Sequence, residues 1–176
     1  RTAAEQAATL KTIHPPVRAT FRTKTRDDIN QRRQLMSIAT TDPSERTHRE
    51  VDLLVAHLAK IHRLRDIDFS ALREAARGMA GLSVPVNTQV MCEGEQGDAF
   101  YVVLNGKLAV TQTLPGNNGH RRVAMLGVRA CFGELSLCFG RTRSATVTVL
   151  SDECMLLRLN SIEFHESIGA PVTTNV

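Results

Sequence analysis

Glu134 and Arg143 stand nine residues apart in the stretch FGELSLCFGRTRSATV, residues 132–147, and their chemistry is complementary to one kind of ligand. A carboxylate accepts a hydrogen bond from a hydroxyl, and a guanidinium grips a phosphate with parallel N–H donors. Between them, Glu134, Leu135, Leu137 and Cys138 suit a single short helical turn. Its start would expose backbone N–H groups, which favour anions. Gly133, lacking a Cβ, allows close approach of a ligand to that backbone. The combination fits a molecule bearing both a free hydroxyl and a phosphate. The alternative is that Glu134 and Arg143 pair with each other and only pin the connection, which gives Gly133 and the helix start no role.

Other chemistries find less support. Metal catalysis on a small barrel of the cupin type needs clustered His and carboxylate ligands. His120 and His165 are isolated, no HxH occurs, and His14, His48, His57 and His62 fall in the lead-in or in helices, where surface positions are expected. The expectation is therefore a binding module and not an enzyme. Cys92, Cys131, Cys138 and Cys154 show neither CxxC nor zinc-finger spacing and sit in apolar stretches, as free buried thiols of a cytoplasmic protein do. The net charge of +4 is spread among interleaved acids, without the dense basic stripe of a nucleic-acid surface. No helix-turn-helix follows the strands. No apolar run reaches the roughly 18 residues of a membrane span. The chain opens on Arg1 and not Met, as a fragment of a longer protein would.

The elements that must position residues 132–147 follow from hydropathy rhythm. Apolar residues make up 42% of the 176, enough for one domain core, while aromatics at 4% leave that core to aliphatic side chains. Residues 1–45 form a polar lead-in broken by Pro15-Pro16, with one short helix expected over 27–38, lying as a solvated linker or as an arm on the domain. Thr47-x-x-Glu50 is a capping box, and Val51, Leu54, Leu58 and Ile61 follow at helical spacing. A second helix is predicted from 68 or 69 to 77, stopping at Gly78. From Leu82 short Val-, Leu- and Thr-rich runs recur about every ten residues. They cover 84–86, 89–92, 100–104, 107–114, 121–126, 144–150 and 154–159, with a hairpin loop at 115–119 and a closing helix over 161–168. This rhythm predicts a mainly β fold with flanking helices: an antiparallel β-roll or jelly-roll barrel after N-terminal helices, ending in a short C-terminal helix. The domain is expected over 46–168 and a tail over 169–176.

FGELSLCFGRTRSATV resembles the phosphate-binding segment of the cyclic nucleotide-binding domain family, found in protein kinase A regulatory subunits, cGMP-dependent kinases, Rap exchange factors and cyclic-nucleotide-gated channels. The likeness extends upstream through GEQGDAFY at 94–101 and LNG at 104–106. The helix after DPSERT at 42–47 is similar to the lead helix of single-domain members and Rap exchange factors. The resemblance covers about residues 46–168. It implies that Glu134 accepts from the ribose 2′-OH and that Arg143 pairs with the cyclic phosphate. It implies further that Gly133, Leu135 and Ser136 line the turn, with backbone donors and the Ser136 hydroxyl available. Ser144 would face phosphate or base, and Val123 and Leu135 would brush the purine or sugar. A hydroxyl after the arginine resembles the cGMP-preferring sites, so the ligand expected is cAMP or cGMP, with no separate cofactor.

Three departures from the family pattern bear on geometry. Arg129 stands where a Gly is usual, which makes that turn strained if it needs positive φ, or else implies a rebuilt loop. Asn87 replaces a turn Gly, a milder change because Asn tolerates left-handed backbone. Thr142 replaces the usual Pro before the arginine. The helix that lids the base in relatives has no counterpart in residues 171–176, so the lid is expected to be truncated, supplied by another chain or absent. Function is expected to be that of a regulatory cyclic-nucleotide sensor acting on an effector outside these residues. The other reading is a β-roll that no longer binds nucleotide and serves as an interaction or scaffold module.

Overall fold

The computed structural model describes residues 26–114, 116 and 119–169. Three helices lead. α1 (Arg26–Thr40) is longer than its polar composition suggests and buries Leu35, Ile38 and Ala39. A 3₁₀ turn (Pro43–Glu45) precedes α2 (His48–Leu58), where both halves of the capping box form: the Glu50 N–H donates to the Thr47 hydroxyl, and the Thr47 N–H to the Glu50 carboxylate. Val51, Leu54 and Leu58 form the buried stripe. After α2 the chain winds in three-residue turns, and Ile61, Leu64 and Ile67 all point inward. α3 (Phe69–Gly78) starts at Asp68, whose carboxylate accepts from the Ser70 N–H.

Arg46 ties these helices together. It is 7% exposed, and its guanidinium donates to the carbonyls of Ile38 (3.2 Å), Thr41 (3.2 Å), Ala76 (3.3 Å) and Met79 (2.5 Å). One buried cation thus gathers carbonyls at the C-terminal ends of both α1 and α3, where the helix dipoles favour positive charge.

Eight strands follow: β1 (Ala80–Ser83), β2 (Gln89–Met91), β3 (Ala99–Asn105), β4 (Leu108–Thr113), β5 (His120–Leu126), β6 (Cys131–Phe132), β7 (Thr146–Val149) and β8 (Met155–Asn160). A short helix, α4 (Glu134–Phe139), interrupts them, and α5 (Ser161–Ser167) closes the described chain. The strands form two antiparallel four-stranded sheets, β1-β8-β3-β6 and β2-β7-β4-β5, so the roll is a two-sheet sandwich and not a closed barrel. β3 reads as a continuous apolar run because both its faces are covered. Phe100, Val102 and Leu104 face the helices, while Tyr101 and Val103 face the second sheet. Phe164 of α5 is fully buried against Phe100, ring centroids 5.4 Å apart.

The first strand lies earlier than expected. Residues 84–86 do not extend it, because Pro85 has no N–H for the ladder and the chain turns at Asn87, φ 65°. β1 pairs with β8 instead, with Gly81 opposite Leu157. A Cβ on Gly81 would fall 2.0 Å from the Ala39 carbonyl oxygen, so this glycine serves helix–sheet packing rather than punctuation. β6, only two residues long, escaped the rhythm altogether. In the hairpin loop, Pro115, Asn117 and Asn118 lie outside the described residues, but its flanks pair, with the Leu114 N–H donating to the Gly119 carbonyl at 2.9 Å. The lead-in before residue 26 and the tail from 170 onward, including the lid question, also lie outside them.

Candidate functional site

Arg143 is the anchor of the site. Its backbone is clamped on both sides: its N–H donates to the Glu95 carbonyl at 2.7 Å, and its carbonyl accepts from the Gly94 N–H at 2.8 Å. Its side chain turns inward, 3% exposed. One terminal nitrogen donates to the Gly133 carbonyl and the Ser136 hydroxyl, both at 2.7 Å. The other donates to the Ala99 carbonyl at 2.7 Å and the Asp98 carboxylate at 3.0 Å. Arg158 donates to the second oxygen of Asp98 at 2.9 Å. Burial opposes the charged form of Asp98, but hydrogen bonds from Arg158 and Arg143 outweigh it and hold its carboxyl below the usual value.

Two glycines make this packing possible. Gly133 has φ 93°, and a Cβ there would sit 2.8 Å from both the Ala99 carbonyl oxygen and an Arg143 terminal nitrogen. The room it leaves is taken by the protein's own arginine. Gly97 does the same for α4, since a Cβ would lie 2.3 Å from the Ser136 hydroxyl. The segments 94–101 and 132–143, distant in sequence, therefore interlock around one guanidinium.

Glu134, 5% exposed, does not pair with Arg143. It forms an ion pair with Arg63, from the turns after α2. The pairing alternative considered from sequence is thus replaced by two separate pairs, Arg63–Glu134 and Asp98–Arg143. Beside them the Cys131 thiol is pushed up to about 12, first by burial and then by the Glu134 charge.

A cavity of about 140 Å³ opens here, and Gly133, Glu134, Leu135, Ser136, Arg143 and Ser144 all line it. Leu135 is 40% exposed at its edge. Ser144 is also exposed; its carbonyl accepts from the Gln112 side-chain amide at 2.9 Å. Val123 is not brought in. Val110 pairs with Ala124 and Thr111 with Arg122, so Val123 is the extra residue of a β-bulge, and it stands 41% exposed outside the cavity lining.

Three contributors escaped sequence reasoning. Asp98 lay inside a quoted motif without a role, and Arg158 is the lone cation in the apolar run of β8. Arg63 carries no local signal at all. Two further expectations need correction. His57 is buried, its Nε2 without a hydrogen-bond partner, because it lies on the inward side of α2. Of the four cysteines, all unpaired, only Cys154 is buried and the rest are half-buried. The two turn departures behave as anticipated: Arg129 has φ 71° and Asn87 φ 65°. Among the described residues no group of three His, Cys, Asp or Glu side chains is placed to hold a metal, and no helix is long and apolar enough to cross a membrane.

Both the two-sheet roll and the interlocked arginine segment define a regulatory ligand-binding fold. The family model described as the cyclic nucleotide-binding domain matches residues 82–169, and the chain belongs to that family. The cAMP-dependent protein kinase regulatory subunit of Dictyostelium discoideum is 34% identical over 59% of this chain and 32% of its own. The human Rap guanine nucleotide exchange factor 3 is 28% identical over 72% of this chain and 13% of its own. This chain thus spans a third or less of these relatives' length. Among solved structures, the regulatory domain of Toxoplasma gondii PKA with cAMP superposes with a TM-score of 0.66 at 26% identity, covering 74% of this chain and 49% of that one.

Proposed function

We propose that residues 132–147 bind cAMP or cGMP as the sensing element of a larger regulatory protein. The observation that carries this is the pair of buried polar side chains, Glu134 and Arg143, set on one cavity with Gly133 and Ser136 between them. Arg63 occupies Oε1 of Glu134, so Oε2 accepts the ribose 2′-OH. Arg143 holds the cyclic phosphate in a charge-assisted contact worth about 1.5–3 kcal/mol. The cavity is smaller than the roughly 300–1,000 Å³ of drug-sized sites, so it receives phosphate and ribose while the base lies outside it, over Leu135.

All four terminal N–H donors of Arg143 already have protein acceptors, two of them on Gly133 and Ser136. An arriving phosphate competes for the Gly133 and Ser136 contacts and thereby moves α4. The Asp98 carbonyl accepts from the Ser161 N–H at 2.9 Å, so the same network reaches the first residue of α5. Ligand binding shifts the population of α4 and α5 positions, a signal read by an effector beyond these residues. The unpaired cysteines favour a cytoplasmic setting.

Calorimetry with cAMP, cGMP, adenosine and guanosine tests the reading on wild type, Glu134→Ala and Arg143→Ala. Micromolar binding, about −8 kcal/mol, lost in both variants, is expected. No binding by wild type below millimolar, or binding indifferent to both substitutions, favours the scaffold reading instead. For the base, the Ser144 hydroxyl has no protein partner among the described residues and is free to reach a guanine amino group. Ser144→Ala is expected to lower the cGMP-to-cAMP affinity ratio, and an unchanged ratio removes Ser144 from base selection.

A further inference from the structure

A cavity of about 740 Å³ lies apart from the nucleotide segment and shares no lining residue with the cavity there. It opens between α1 and the edge of the first sheet. Its apolar surface comes from Ile29, Leu35 and Met36 on α1 and from Leu104 and Val128 opposite, with Ile29 and Val128 exposed. That volume falls within the range of ordinary small-molecule sites.

Two features mark it as more than a packing defect. His57, 5% exposed, belongs to its wall, and its wholly buried Nε2 has no hydrogen-bond partner. Buried polar atoms are nearly always satisfied, so an unpartnered one within a cavity wall is unusual. Burial, with Arg129 and Lys60 nearby, holds this imidazole far below its usual value, so it is neutral and offers one donor and one acceptor nitrogen. Arg129 also lines the cavity while holding left-handed backbone that glycine would adopt without strain. Its guanidinium and that of Arg33 make no ion pair or hydrogen bond among the described residues. Three arginines against Asp28 and Glu153 leave the wall net positive.

We propose that this cavity is a second ligand site, taking an amphiphilic anion whose apolar body lies along α1. Its head group meets Arg129 and Arg33, beside the neutral imidazole of His57 in the wall. The site is independent of the nucleotide reading. Decanoate is the probe, with decylammonium as the apolar control of opposite charge, titrated calorimetrically into the full chain at pH 7. Decanoate is expected to bind at least tenfold more tightly than decylammonium, and to bind equally with and without saturating cAMP. Arg129→Gly, a substitution that suits the left-handed backbone, combined with Arg33→Gln, is expected to weaken decanoate at least tenfold while the melting temperature holds or rises. Equal affinity for both amphiphiles, an unchanged affinity in the double variant, or displacement of decanoate by cAMP each overturns the proposal.

Discussion

Arg63 and Glu134 form an ion pair across 71 residues, joining the turns after α2 to the first residue of α4. The arginine is half-exposed and the carboxylate almost fully buried, so the pair carries positional information: the helical layer sets where the carboxylate points. Arg63→Ala is expected to weaken cAMP about tenfold, roughly 1.4 kcal/mol, and 2′-deoxy-cAMP far less, because the lost element orients the group proposed to accept from the 2′-OH. Calorimetry with both ligands checks this. Equal losses for the two would mean that Arg63 serves only the fold.

Arg143→Lys is expected to lose phosphate binding about a hundredfold despite keeping the charge. A lysine is a point donor and cannot keep the Ala99 and Asp98 contacts while turning two further donors from Gly133 and Ser136 to the phosphate. Stability should fall as well, by about 1–3 kcal/mol, since buried carbonyls lose their donor. Calorimetry and thermal unfolding on one preparation separate the two effects.

Arg46→Ala should be among the most destabilising changes outside the hydrophobic core. Four carbonyls at two helix ends lose their shared donor, at a cost of about 2–4 kcal/mol. Circular dichroism is expected to show a melting temperature lower by roughly 5–15 °C. Arg46→Lys should recover only part of it, lacking the planar fork.

Arg129→Gly should stabilise the free protein. Left-handed backbone costs a side-chain-bearing residue about 1–2 kcal/mol, and the extra unfolded-chain freedom of glycine returns roughly half of that. A rise of about 1–3 °C in melting temperature is expected.

His57 gives stability a defined pH dependence. Its folded value, about 4, lies below the ordinary 6.5, so the unfolded chain binds the proton more readily. The contribution is complete above pH 6.5 and declines as pH falls toward 4. At pH 5 it should be about 2 kcal/mol smaller than at pH 7. Denaturant unfolding at the two pH values measures it, and His57→Phe, which keeps the apolar packing, should remove that share of the difference.

Much of this molecule was legible because its signals are local. The Thr47–Glu50 box needs only three residues of spacing, and the strand runs needed only their own alternation and the Gly, Asn and Pro between them. The roll followed from those patterns, whereas the turn at Arg129 was marked only by the family resemblance, which left a strained turn and a rebuilt loop both open. The strand placed at 84–86 failed because Pro85 cannot donate to a ladder and the chain turns at Asn87, and nothing near Gly81 in sequence announces the Ala39 carbonyl against it.

Sequence by itself singled out the residues proposed to carry the chemistry, a carboxylate, a guanidinium and a glycine in one short segment. Only the tertiary structure decided how they are held. Arg63 reaches Glu134, Asp98 and Arg158 brace Arg143, Arg46 gathers two helix ends, and His57 faces inward, each through partners tens of residues away or through burial by another element. Such contacts depend on which surfaces the packed layers bring together, and an isolated arginine or histidine carries no mark of the neighbour that folding will place beside it.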